Sequence, residues 1–170
     1  MTIQAEIKKS FHRVARAIAK RPALGRSTYV STTRVQGLVC HIEEGNWRMQ
    51  TDMPQQLGGQ GTAPTPGMLG RAALGSCLAT GYLLWASKMD VAIQKLEVEV
   101  QADSDDAGLF GTADTPPGYS EVRYCVSVDS SASEDEVLNM LDQAERHSPW
   151  LDVFCRPVSC KREVKYTATA

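Results

Sequence analysis

The chain has 170 residues, 42% hydrophobic and 22% charged, a balance that fits one globular domain able to bury a core. Its net charge of −2 makes no general case for nucleic-acid binding, and no run of about 18 apolar residues is present to span a membrane. Five cysteines, an odd number, with no apolar secretory leader, argue against a secreted disulfide framework and for a reducing, cytoplasmic setting.

Ile3, Ile7, Phe11, Val14 and Ile18 recur at helical spacing, with Lys8, Lys9, Arg13, Arg16 and Lys20 between them. The spacing predicts an amphipathic helix ending near Arg21-Pro22. Seven basic residues and no acidic one lie between Lys8 and Arg26. A helix of this kind docks by its apolar stripe, and its basic face is also of a kind that touches membrane or nucleic acid. From Tyr29 to Met53 the composition turns strand-like. Glu44-Gly45-Asn46 marks a turn between two runs, roughly 33–43 and 47–52. A glycine- and proline-rich loop over 57–66 follows. It ends at Thr65-Pro66, a helix N-cap followed by a proline at the first helical position.

Residues 66–89 are apolar on nearly all sides, interrupted by Arg71, Ser76, Thr80 and Lys88. A helix without a polar face is a buried helix. At ~1.5 Å per residue it spans ~36 Å, the width of a small domain, so it is expected to run through the middle. Covering such a helix on every side asks for more elements than one chain of this size has, so a homodimer is expected. Leu96, Val98 and Val100 then alternate with polar neighbours, as do Val122, Tyr124, Val126 and Val128; both are half-buried strands. Thr115-Pro116-Pro117-Gly118 turns the chain between them. Ser133-Glu134-Asp135-Glu136 is a capping box opening an amphipathic helix that His147-Ser148-Pro149 ends. A last strand is expected over 158–167.

Cys77 is the residue with chemistry to weigh. It shares a helix face with Gly70, Ala73, Gly81 and Leu84, so its thiol should sit in a narrow apolar cleft that another backbone can approach. Most cysteines in such places are small core hydrophobes. A reactive thiol needs a cation or a helix N-terminus, and Cys77 is mid-helix, so a basic partner must come from elsewhere. With no CxxC pair, a structural zinc site is not expected. GxSxG and GxxxxGK[ST] are absent, which leaves a serine hydrolase or a P-loop enzyme without support.

Four stretches together resemble the OsmC/Ohr family of osmotically inducible and organic-hydroperoxide-resistance proteins: Asp52-Met53-Pro54-Gln55-Gln56-Leu57-Gly58-Gly59, Pro64-Thr65-Pro66 with Ala72-Ala73-Leu74-Gly75-Ser76-Cys77-Leu78-Ala79, the strand Lys95 to Val100, and Ala144-Glu145-Arg146-His147-Ser148-Pro149. The resemblance covers residues 29–170 and leaves 1–28 as an N-terminal helical extension. It implies an intertwined α+β fold, with antiparallel sheets around two central helices, and an active site at the interface of a homodimer. In peroxidase members one cysteine on the central helix attacks a hydroperoxide and becomes a sulfenic acid. A second cysteine just before a proline resolves it, and an arginine and a glutamate tune the first thiol. Cys77 matches the attacking position and Arg34 the arginine. The glutamate position is Gly67, and the resolving position is Ser148, which cannot form a disulfide.

Two readings follow. One is a thiol-dependent hydroperoxide reductase that uses Cys77 and is reduced by Cys155 or by an external thiol. The other is a non-catalytic dimer that holds an apolar small molecule in its interface cleft, with Cys77 kept for packing. A nucleic-acid role would rest on the basic helix alone. Expected partners are a second copy, a small hydroperoxide or apolar ligand, and a thiol reductant. No cofactor, metal, nucleic acid or membrane is expected.

Overall fold

The computed structural model describes residues 2–168. Met1 and residues 169–170, at the two ends of the segments expected from the sequence, lie outside them. Helix α1 (Ile3–Lys20) forms as its apolar spacing predicts, with Thr2 accepting from the Ala5 N–H as N-cap. It docks by its first turns only. Gln4 donates to the Val91 carbonyl at 3.0 Å, and Phe11 meets Trp85 edge-on with centroids 6.1 Å apart. Lys8 pairs with Asp90. Beyond His12 every residue of α1 is exposed.

Three strands follow as an antiparallel meander: β1 (Thr32–Gln36), β2 (Val39–Glu44) and β3 (Trp47–Thr51). The run expected over 33–43 is therefore two strands. Gly37 takes a φ of +62°, which a tight two-residue turn needs and glycine adopts freely, and it splits the run at Gly37-Leu38. Apart from Val39 and Thr51, the residues of this sheet are exposed or half-buried, and neither face packs extensively on the rest of the chain.

Helix α2 (Pro66–Met89) spans the range its composition predicts, capped by Thr65, whose Oγ1 accepts from the Met68 N–H at 3.3 Å. Strands β4 (Ile93–Ser104) and β5 (Tyr119–Ser130) form an antiparallel pair with Val98 opposite Val126 and Val100 opposite Tyr124. Their alternation is the one read from the sequence, apolar toward α2 and polar outward. Both run longer than that alternation alone marks, and a short helix, α3 (Asp106–Phe110), joins them. Helix α4 (Glu134–Glu145) opens on the Ser133/Glu136 capping box. Helix α5 (Pro149–Cys155) was not expected. The predicted strand over 158–167 does not form. A strand needs a neighbour's N–H and C=O groups, and no described segment of the same chain offers them there.

The core lies on one line of α2. Leu74, Leu78, Tyr82 and Ala86, four residues apart, are buried against β4, β5 and Met140 and Ala144 of α4. On the opposite line Ala72, Ser76, Thr80 and Leu84 are all exposed. A helix expected to be covered on all sides is thus covered on one. The whole chain exposes 13012 Å², against about 8,200 Å² for a compact monomer of its mass.

Candidate functional site

The approach to α2 is fixed by a buried carboxylate. Asp52, with 0% of its surface exposed, accepts from the N–H groups of Met53, Gln60 and Thr62 and from the Thr62 hydroxyl, at 2.7 to 3.3 Å. The Thr62 N–H does most to hold its carboxyl below the usual range; burial opposes this, and the Met53, Thr62-hydroxyl and Gln60 bonds add to it. The loop so folded tolerates only glycine at 59, where a Cβ would lie 1.8 Å from the Met53 carbonyl oxygen. This clamp sets where α2 begins, and hence where Cys77 falls.

Cys77 is half-buried on the open side of α2, and its Sγ lies 3.6 Å from Ser148 Oγ. Ser148 is 4% exposed. It is the N-cap of α5, its Oγ accepting from the Leu151 N–H at 3.4 Å, which leaves its own O–H free to donate to the sulfur. The position before Pro149 and the Cys77 position therefore do meet across the fold. Around them is an open cleft of about 570 Å³, walled by Ala73, Gly81, Leu84, Trp85, Pro149 and Trp150. Glycine at 81 keeps the floor low, since a Cβ there would meet nothing within 4 Å. No Lys, Arg, Asp or Glu lines the cleft, and its one imidazole is His147. The His147 ring lies against Trp85, tilted by 31° with centroids 4.5 Å apart, and its Nδ1 bonds the Gln143 carbonyl oxygen at 2.7 Å. Lys88 Nζ sits 3.6 Å from the Trp85 ring centre.

The other two candidate residues, Arg34 and Cys155, lie elsewhere in the chain. Arg34, on β1, is exposed and bonds Glu43 at 3.1 Å, lining a different hollow on the first sheet. That bond, with Arg48, holds the Glu43 carboxyl below its usual range. Cys155, at the end of α5, is exposed and lines a third, aromatic cavity of about 710 Å³ with Leu74, Tyr119, Tyr124 and Phe154. There burial, then Glu145, pushes the Tyr124 hydroxyl up to about 12, with a contribution from Cys155. All five cysteines are free. At Gly67 a Cβ would stand 3.4 Å from the Tyr119 hydroxyl and 3.5 Å from Arg71 Nη1. Arg71 donates to that hydroxyl, which donates to the Gly67 carbonyl, both at 3.0 Å. A tyrosine and an arginine from within the chain thus brace the start of α2 where the resemblance would put a glutamate.

The sequence reasoning missed the Asp52 clamp, the Arg71–Tyr119 brace and the His147–Trp85 contact. The first left a local trace, an aspartate ahead of a glycine-rich loop that needs its N–H groups paired. The others join residues far apart in sequence and left none. Among the described residues no group of three or more His, Cys, Asp or Glu is placed to hold a metal ion, and no helix is long and apolar enough to cross a membrane.

The family profile described as OsmC-like protein matches residues 59–163, more than half of the chain, and takes in Cys77 and Ser148. No curated protein sequence matches the chain. Among solved structures, the OsmC-like protein of Mycoplasma pneumoniae is similar with a TM-score of 0.65 at 17% identity, over 75% of this chain and 87% of that one. An organic hydroperoxide resistance protein of Elizabethkingia anophelis follows at a TM-score of 0.60 and 16% identity, over 76% and 89% of the two chains. One from Legionella pneumophila has a TM-score of 0.56 and 16% identity, over 76% and 90%. At these identities the likeness establishes a shared fold.

Proposed function

The chain belongs to the OsmC-like protein family, and we propose that it is a thiol-dependent reductase of organic hydroperoxides that attacks with Cys77 and is regenerated by an external thiol. The observation that carries this reading is the 3.6 Å contact between Cys77 Sγ and a buried serine hydroxyl at the floor of an open apolar cleft. A thiolate there can attack the distal oxygen of a hydroperoxide. The O–O bond breaks, the sulfur is oxidised to sulfenic acid, and the peroxide leaves as an alcohol carrying the proton the thiol gave up. Ser148 can donate a hydrogen bond to the sulfur but no electrons. Cys155 opens on a separate cavity. Two molecules of external thiol then close the cycle, releasing water and their own disulfide. A reducing cytoplasm would supply that thiol.

A homodimer is part of the proposal. Three features of the protomer favour a second chain: the surface excess over a compact monomer, the uncovered line of α2, and a three-stranded sheet open on both faces. An Arg34 supplied by the partner would give Cys77 the cation that its own protomer does not. The binding-protein reading has its own support in the cleft's lack of any Lys, Arg, Asp or Glu.

Hydroperoxide consumption in the presence of dithiothreitol separates the two. Turnover by the wild type, lost to background in Cys77→Ser and kept in Cys155→Ser, is the expected result. Equal consumption by wild type and Cys77→Ser would overturn it. Loss in Cys155→Ser would transfer the resolving role to that thiol.

A further inference from the structure

The charge of this chain is divided between two regions. Residues 1–28 hold seven Lys and Arg and one acid, Glu6, for +6; with −2 overall, residues 29–170 carry −8. The basic share is concentrated on a helix that is only half docked. Phe11 and Gln4 anchor the first turns of α1 to the body, and Lys8 is neutralised by Asp90. From Arg13 to Lys20 the helix projects, exposed on every side. Arg13, Arg16 and Lys20 fall on its outer face, within about 60° of arc at 100° per residue. With Lys9, Arg21 and Leu24 they border an open groove of about 800 Å³. None has an acidic partner among the described residues. The same projecting stretch leaves large apolar groups in water: Val14 is 52% exposed, Ile18 37% and, in the turn that folds back on Ile18, Leu24 57%.

We propose that this projecting end of α1, with the turn at Pro22–Gly25, docks the protein on an anionic lipid membrane. Each feature fits a lipid–water interface. The basic side chains meet acidic headgroups, while Val14, Ile18 and Leu24 reach the apolar layer just below them. A body of charge −8 is repelled by such a surface, so contact requires an element that stands clear of it, as these two turns do. A single-stranded nucleic acid would find the charge but no aromatic side chain on which to stack a base, since the projecting stretch carries none, and a duplex would use the charge but leave Val14, Ile18 and Leu24 in water. From the sequence no membrane partner is expected, although the basic face of this helix is of a kind that touches one. The half-docked seat of α1 supplies the reason for one, and attachment here is peripheral.

Sedimentation with vesicles tests the proposal, using the full chain and phosphatidylcholine mixed with about one-third phosphatidylglycerol. Binding is expected at low salt, should fade as salt rises, and should be absent on phosphatidylcholine alone. The triple variant Arg13→Glu, Arg16→Glu, Lys20→Glu should lose affinity on the order of a hundredfold. Its melting temperature should hold, because these side chains are exposed, and Lys20→Arg should bind as wild type. Val14→Ser should weaken binding without changing its salt dependence. No binding to the acidic vesicles, or equal binding by the triple variant, would overturn the proposal. So would tighter binding to single- or double-stranded DNA than to vesicles. A triple variant that changes the oligomeric state while binding vesicles normally would assign the ridge to the acidic body of a second copy, and would overturn it equally.

Discussion

Ser148 carries two loads at once, and each can be removed separately. Its Oγ caps α5 and faces Cys77. Ser148→Ala should cost about 1 kcal/mol for the lost cap and slow the reaction of Cys77 with alkylating agents near neutral pH, read by denaturant melts and alkylation rates. Ser148→Cys should form a disulfide with Cys77 on peroxide treatment, visible as a mass loss of two hydrogens. The sequence displayed this site in part. Cys77 and the position before Pro149 were legible because each sits in a distinctive short run. The dipeptide Ser148-Pro149 repeats the cap-and-proline signal of Thr65-Pro66, but it marks the end of one helix and the start of the next, and only the end was read from it. Asp52 gives the acid limit. Its carboxyl is held below the usual range by the N–H groups around it. Its contribution is therefore complete above the unfolded-state value, about 3.9, and is lost as pH falls through the lower folded value. Urea midpoints taken from about pH 6 down to about pH 3 should fall more steeply below about pH 4 in wild type than in Asp52→Asn.

Apolar composition and the Thr65-Pro66 cap gave the span of α2 but not its surroundings. A run apolar on all sides says that every face must be covered, without saying by which chain. Among the described residues the Leu74–Leu78–Tyr82–Ala86 line is covered and the Ala72–Ser76–Thr80–Leu84 line is not. Tyr82 buries its hydroxyl against Glu145 at 2.8 Å, where burial first, and then that carboxylate, drive its ionisation upward in pH. Leu78→Ala should cost 2–5 kcal/mol by cavity formation, measured by urea denaturation. Gly81→Ala separates the two sides. No atom lies within 4 Å of the added Cβ in the protomer, so α2 should gain roughly 0.5–1 kcal/mol of helix propensity. If a second chain packs against the cleft side of α2, where Gly81 lies beside Cys77, the same methyl should weaken association, seen as a higher dissociation constant in sedimentation. The missing strand over 158–167 belongs to the same lesson. Alternation is a property of the segment, whereas a strand is a property of a pair, and Val158, Val164 and Tyr166 remain 50–85% exposed with no partner strand among the described residues.

For the whole molecule, an exposed area of 13012 Å² against about 8,200 Å² expected for a compact monomer is the observation on which the proposed homodimer rests. Light scattering at micromolar concentration should give twice the chain mass; a stable, well-folded monomer would remove the homodimer and with it any Arg34 supplied across an interface. The sequence resembled the family strongly enough to give the α+β fold, because the short runs around Cys77 and Ser148 are specific. It also gave the strand runs of the first sheet, at 33–43 and 47–52, but not that this sheet packs so little on the rest of the chain, because a strand's alternation does not say what its faces meet. If Cys77 is an attacking thiol with no internal resolving partner, treating the protein with about one equivalent of an organic hydroperoxide in the presence of dimedone should trap its sulfenic acid, with the adduct mapped by mass spectrometry. A dimedone adduct on Cys77 and no intramolecular disulfide are expected. An unmodified Cys77, under conditions that oxidise a free cysteine peptide, would contradict that role.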